Sequence, residues 1–259
     1  MGVHQRIDRL ARRELSHLLP RKQYFPTVRE VLHFEGLNGP DGIKRKSPGQ
    51  DEPWHYIDPT DPSDTGLKEM IQDHIYNLTA ALAEGNDQRA AFEAAWMAHA
   101  ISDGLTPAHH YPLEEKLEEL RGGEGLETRN TPRKKLVMPG DTRRQVLRNN
   151  WEYWGAKGIM TTHLAFELGV ATTITAGRLQ KTSPSKSDLA RLKKEGFIQL
   201  FDEALDRIVD LQLYEEFSRA GWTRRLAKDT RTILIPEIVR MVTLAWYGCV
   251  LAAGEKAKQ

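Results

Sequence analysis

Imidazole and carboxylate recur at one-turn spacing in two distant stretches of this sequence. In Ala98-His99-Ala100-Ile101-Ser102-Asp103, His99 and Asp103 are four residues apart and leave the same face of an α-helix. Gly104 and Pro107 stop that helix, which leaves His109 and His110 on the loop that follows. In Thr162-His163-Leu164-Ala165-Phe166-Glu167 the same spacing sets His163 beside Glu167. Zinc takes both donor types readily and lowers the pKa of a bound water to about 7, so hydroxide exists at neutral pH. Two such ions about 3.5 to 4 Å apart can clamp the attacking and leaving oxygens of a phosphoester. A lone His99 with Asp103 reads more simply as a helix-surface ion pair, and it is the second pair that turns the reading toward metal.

The totals restrict the remaining chemistry. A net charge of +1 over 259 residues gives no electrostatic argument for a polyanionic partner. The single cysteine, Cys249, excludes a disulfide framework and a cysteine-rich zinc site, so any metal falls to the nine histidines and the carboxylates. No apolar run opens the chain, which makes the cytoplasm the default, or secretion if a leader has been removed. Residues 232–254 are strongly apolar, but Pro236, Glu237 and Arg240 interrupt them. What is left is too short to span a bilayer, so no transmembrane segment is expected and a buried core helix is.

The elements that must carry these side chains read as helices throughout. Residues 4–18 place Ile7, Leu10, Ala11, Leu15 and Leu18 on one stripe, and a short helix is expected over 28–34. Glycine, proline and charge dominate 35–62, a long loop in which Trp54-His55-Tyr56-Ile57-Asp58 is apolar enough to be pinned against a core, holding Asp58 in place. Ser63 or Asp64 can cap a helix over 66–84 whose buried stripe includes His74, and Asn86 or Asp87 the helix that ends at Asp103. A short charged helix is expected over 113–120, followed by an exposed insertion near 121–142 with the basic run Arg133-Lys134-Lys135. A long helical pattern over 142–179, kinked or broken at Gly155 and Gly158, precedes a linker at 183–187 and helices over 189–217, 223–228 and 233–253. The expectation is one all-α domain over residues 1–259, with Tyr56, Tyr76, Trp151 and Trp154 in a pocket or, more commonly at helical spacing, in the core.

In this order the residues resemble the zinc-dependent phospholipases C and the fungal and plant single-strand-specific nucleases that share their fold. The likeness rests on His99, Asp103 and His109 with Pro107 in the turn between them, on Asp58 in its aromatic context, on a helical His74, and on His163 with Glu167. The opening helix with His4 is similar to the family's first, and the likeness covers roughly residues 1–170. It implies a multi-helix bundle with zinc ions at the base of a cleft. Asp58, His74, His99 and Asp103 would hold one ion and His109, His163 and Glu167 a second, while Asp103 and His4 would serve a third. The family completes that third site with an N-terminal tryptophan. This chain lacks one, so two or three ions are expected, with the Gly2 amine beside His4 as a substitute donor if Met1 is removed. A Gly-Val-His terminus also suits a square-planar ion such as copper.

The resemblance implies a phosphoester hydrolase in which metal-activated water attacks and Asp58 is a ligand with general-base character. A phospholipid head group is the first substrate class, because near-neutral charge without interleaved basic and aromatic residues argues against single-stranded nucleic acid, the second. No stable protein partner is implied. From another class, a non-catalytic zinc-stabilised helical binding protein would carry the same ligands. A di-iron bundle needs Glu-x-x-His pairs on long core helices, whereas Glu30 with His33 and Glu52 with His55 fall on a short helix and a loop. Asp73-His74 is the reverse of a His-Asp dyad. His17, His33, His55 and His110 match no family position and read as structural or substrate-contacting.

Overall fold

Six of the described helices begin where a side chain accepts from one of their first free amides. A computed structural model describes residues 2–20, 23–46, 55–125, 128–175, 179 and 182–256, and among them the regular structure is helical, with no strand. Trp54 and Glu52, singled out above, and Met1 lie outside the described residues. In chain order the helices are α1 (Val3–Leu18), α2 (Val28–His33), α3 (Pro40–Lys46), α4 (Gly66–Glu84), α5 (Asp87–Gly104), α6 (Leu113–Leu120), α7 (Pro132–Leu136), α8 (Arg143–Trp154), α9 (Ile159–Thr175), α10 (Lys186–Glu195), α11 (Phe197–Val209), α12 (Leu213–Ala220), α13 (Arg224–Asp229) and α14 (Ile235–Lys256). Asn86 caps α5 by accepting from the Arg89 amide, Thr142 caps α8, and Thr27 and Ser185 form capping boxes with Glu30 and Asp188. The cap expected of Ser63 or Asp64 is absent from α4. Their side chains are spent on the preceding turns, Ser63 donating to Asp61 and Asp64 accepting from the Asp58 amide.

The main core forms around α14, which α1, α4, α5 and α11 surround. Alanines 90, 91, 94, 95 and 98 let the neighbours of α5 approach it closely, and Trp246 of α14 donates its indole N–H to the Ala94 carbonyl at 3.0 Å. The apolar stretch expected as a core helix is therefore mostly buried inside the fold. It is also what clamps α5, the helix that carries His99 and Asp103.

Two glycines decide where the long helix expected over 142–179 breaks. A Cβ on Gly155 would stand 2.4 Å from the Trp151 carbonyl oxygen and one on Gly158 2.6 Å from that of Tyr153, so only glycine lets the chain double back and start α9. A smaller second core gathers here from Leu113, Leu117, Leu120, Met138 and Tyr153. It draws in the segment expected as an exposed insertion. Met138 is fully buried, and Asn149 of α8 donates to the carbonyls of Leu120 and Pro139, both at 2.8 Å. The basic Arg133 and Lys134 stay at the surface.

Candidate metal centre

Five separate segments, with Asp41 of α3 as a sixth, deliver donors to one place. His4 comes from the first turn of α1, His99 and Asp103 from the last turns of α5, His109 from the turn after it, and His163 and Glu167 from α9. His55 comes from an extended segment that pairs with that turn, the Ile57 amide donating to the His109 carbonyl at 3.1 Å. Three groups of donors have their ligand atoms all within 4.8 Å of one another: His4 with Asp41 and His99, His55 with His99 and Asp103, and His109 with His163 and Glu167.

Asp103 joins them. Its Oδ2 lies 2.8 Å from His55 Nδ1 and 3.2 Å from His99 Nε2, while its Oδ1 lies 3.3 Å from His4 Nε2 and 3.8 Å from His109 Nε2. In the other group Glu167 Oε1 is 3.1 Å from His163 Nε2 and 3.3 Å from His109 Nε2. Donors around a tetrahedral zinc at its usual bond lengths are about 3.3 Å apart, so these separations suit ligand edges as well as hydrogen bonds.

The far side of each imidazole separates the two possibilities. His99 Nδ1 donates to Glu35 at 3.2 Å, His109 Nδ1 to the His55 carbonyl at 3.2 Å, and His163 Nδ1 to the Ala108 carbonyl at 3.2 Å. In a neutral ring that leaves Nε2 bare, and all three Nε2 atoms face carboxylate oxygens. His99 Nε2 is buried and makes no hydrogen bond. The site needs either extra protons or cations at these edges, and outer acceptors on the remote nitrogens are the arrangement that metal-ligating histidines adopt. The donor set of imidazoles and carboxylates fits zinc.

Electrostatics point the same way. Burial opposes charge on His99, but Asp103 and Glu35 outweigh it and raise its pKa well above the ordinary value. Burial opposes ionised Asp103, yet His109, His99 and His4 hold its carboxyl well below the usual range. Burial likewise opposes ionised Glu167, and the hydrogen bonds from His109 and His163 override it downward. His4 is depressed by burial and by His99, on which its ring stacks at 3.9 Å. The donor atoms are thus arranged for concentrated positive charge.

Of the residues expected from sequence, His4, His99, Asp103, His109, His163 and Glu167 come together, and Asp58 and His74 do not. Asp58 closes a turn, its Oδ1 accepting from the amide and hydroxyl of Thr60 at 2.8 and 2.7 Å. The reason is register. In an extended segment alternate side chains share a side, and here His55 and Ile57 are the buried pair, so Asp58 is turned away. His74 instead bridges α4 to α5, donating Nδ1 to Glu93 at 2.6 Å. Sequence reasoning missed His55, Glu35 and Asp41. Alternation sets His55 with Ile57 but Asp58 with Trp54 and Tyr56, so both sides carry apolar residues and the sequence did not mark His55 as the inward one. Glu35 and Asp41 sit in glycine-rich sequence with no periodicity to mark them. His110 closes the end of α5, donating Nε2 to the Gly104 carbonyl at 2.8 Å, and burial lowers its pKa to about 4.

A cavity of about 180 Å³ reaches His163, walled by Tyr56, Tyr111, Tyr214, Met160 and Lys157. The Tyr56 ring also stacks on His109 at 4.7 Å, so one wall of the cavity is the back of a ligand. Tyr76 and Trp151 lie exposed, neither in this pocket nor in the core, because the faces of α4 and α8 that carry them turn away from both. No family model, curated protein or solved structure matches this chain.

Proposed function

We propose that this chain is a zinc-dependent phosphoester hydrolase of the phospholipase C kind. The observation that carries the reading is the single buried carboxylate of Asp103, whose two oxygens are shared among four imidazoles from four parts of the chain. The resemblance to the trinuclear phospholipases and nucleases supports it through His99, Asp103, His109, His163 and Glu167. Asp58 and His74 have no part in it, and His55 takes a ligand position in their stead.

Bound zinc would supply a nucleophile from water at neutral pH and neutralise charge that builds on phosphorus. The protein's own work is positional. Glu35 and the carbonyls of His55 and Ala108 keep the imidazoles in the tautomer that offers Nε2. Asp103 links His99 to His109, which belongs with His163 and Glu167. Lys157 and the tyrosines of the adjoining cavity stand where the alcohol or head-group side of a phosphodiester would enter, the cation able to contact a phosphate oxygen.

Metal content and turnover of the same preparation test the reading. Two or more zinc ions per chain are expected, with hydrolysis of phosphatidylcholine and of a soluble p-nitrophenyl phosphodiester, and little action on single-stranded DNA. Preferred cleavage of the DNA would move the chain to the nuclease branch. Bound zinc without turnover of any of the three, and unfolding on chelation, would establish the non-catalytic binding protein instead.

A further inference from the structure

Helix α8 is turned inside out. Its inward face carries Asn149 and Tyr153, both buried, while Leu147 and Trp151, one turn apart on the outward face, are each 72% exposed. Trp154 continues that stripe and is exposed too. Leu136 and Val137, exposed at the end of α7, are tied alongside because the Trp154 indole N–H donates to the Leu136 carbonyl at 2.6 Å. Around these apolar side chains lie Arg133, Lys134, Arg143, Arg144 and Arg148, all at the surface. Residues 129–157 hold eight Arg and Lys against two Asp and Glu, a net charge of +6 in a chain whose total is +1. One of those two acids, Glu152, is already paired with Lys116 at 3.0 Å.

We propose that this face docks on an anionic lipid bilayer. Exposed tryptophan and leucine flanked by arginine are the parts of an interfacial surface, the apolar groups entering the head-group region and the cations meeting lipid phosphate and net negative charge. Position supports the assignment as well as composition. The Trp154 carbonyl accepts from Thr161 at 2.9 Å, so the stripe ends at the turn that supplies Lys157, Ile159 and Met160 to the cavity beside His163. A bilayer on this face brings head groups to the mouth of the candidate site, which deepens, and rests on, the phospholipase reading. Single-stranded nucleic acid fits less well: Trp151 and Trp154 offer rings on which a base can stack, but Leu136, Val137 and Leu147, the rest of the apolar face, do not. A second copy of the chain fits less well too, because a twofold contact would set the cationic cluster against itself.

Co-sedimentation of the full, zinc-loaded chain with vesicles tests this, using phosphatidylcholine alone and phosphatidylcholine with about a third phosphatidylglycerol. Binding is expected to the second, weakening with salt. The triple change R143E, R144E and R148E is expected to lower the partition on the order of a hundredfold, since each cation at an anionic surface is worth about fivefold. Leu147→Ala with Trp151→Ala is expected to lower it about tenfold or more, and R143K, R144K and R148K together to keep it. All three variants are expected to keep the wild-type rate on the soluble phosphodiester, because none of these side chains is among the metal donors or lines the cavity. Wild-type protein that ignores the anionic vesicles, or variants that bind them unchanged, would overturn the docking surface. So would loss in the same variants of oligonucleotide binding stronger than vesicle binding, or of a dimer. Vesicle binding without turnover of the soluble diester would leave the surface standing and remove the hydrolase.

Discussion

The inner and outer halves of the candidate centre are built from the same donor types but held by different materials. His99 and Asp103 stand on α5, which is clamped between α4 and α14, and both side chains are almost wholly enclosed. His163 and Glu167 stand on α9 beside a cavity, and the Glu167 side chain is 38% exposed. The anchors differ as well. The remote nitrogen of His99 meets a buried carboxylate, Glu35, whereas those of His109 and His163 meet only carbonyls. A carboxylate partner makes an imidazole a stronger donor than a carbonyl partner does. On the proposed reading, enclosure and anchoring would both give the inner group structure and retention, and the outer group exchange and substrate.

The largest effect should come from removing what the halves share. Asp103→Asn keeps the shape but takes away the charge set among four imidazoles. Hydrolysis should fall on the order of a thousandfold or more, as several kcal/mol of electrostatic stabilisation are lost, and zinc content should fall in both groups. A variant that keeps either its full metal content or its rate would show that Asp103 joins nothing.

Chelation separates the halves. A weak chelator should first remove the outer ion, abolishing turnover while the melting temperature scarcely moves. A stronger chelator should then strip the inner ion and lower the melting temperature by about 10 °C or more, because metal binding free energy is also folding free energy. His163→Ala should erase the first phase and leave the second. Release of all metal in one step, with simultaneous unfolding, would remove the distinction between the groups.

Glu35→Gln acts on the anchor alone. The inner group should lose about ten- to a hundredfold in zinc affinity, the usual cost of an altered outer partner, and the outer group should lose none. Competition titration with a metal-sensitive dye reads both values, and equal weakening of the two would mean that Glu35 does not belong to the inner half.

Helix period carried most of what the sequence revealed of this arrangement. His99 with Asp103 and His163 with Glu167 were legible because a four-residue spacing fixes a shared face wherever the helix lies. The all-helical architecture was legible for the same reason, together with the cap at Asn86. The segment around Ile57 was not, because in extended chain a shift of one residue moves a side chain to the other side, and the sequence does not state which of His55 and Asp58 faces inward. His74 misled for a different reason. Its place on the buried stripe of α4 was right, but a buried histidine is equally served by a carboxylate on a neighbouring helix, and Glu93 supplies it.

That last pair gives the mildest test and the one that most directly contrasts structure with resemblance. His74→Ala leaves the buried Glu93 with Arg89 as its remaining ionic partner, so about 1 to 3 kcal/mol of stability should be lost, as for a buried polar group deprived of a partner. Zinc content and the two chelation phases should be unchanged, because the Nδ1 of His74 is spent on α5 six residues before His99, about 9 Å back along the helix. Asp58→Asn should cost still less, since an amide oxygen can accept from Thr60 as the carboxylate does. Loss of an inner ion in either variant would mean that the metal-loaded chain draws Asp58 or His74 into the position that His55 holds here, and the inner half would then follow the family's ligand set.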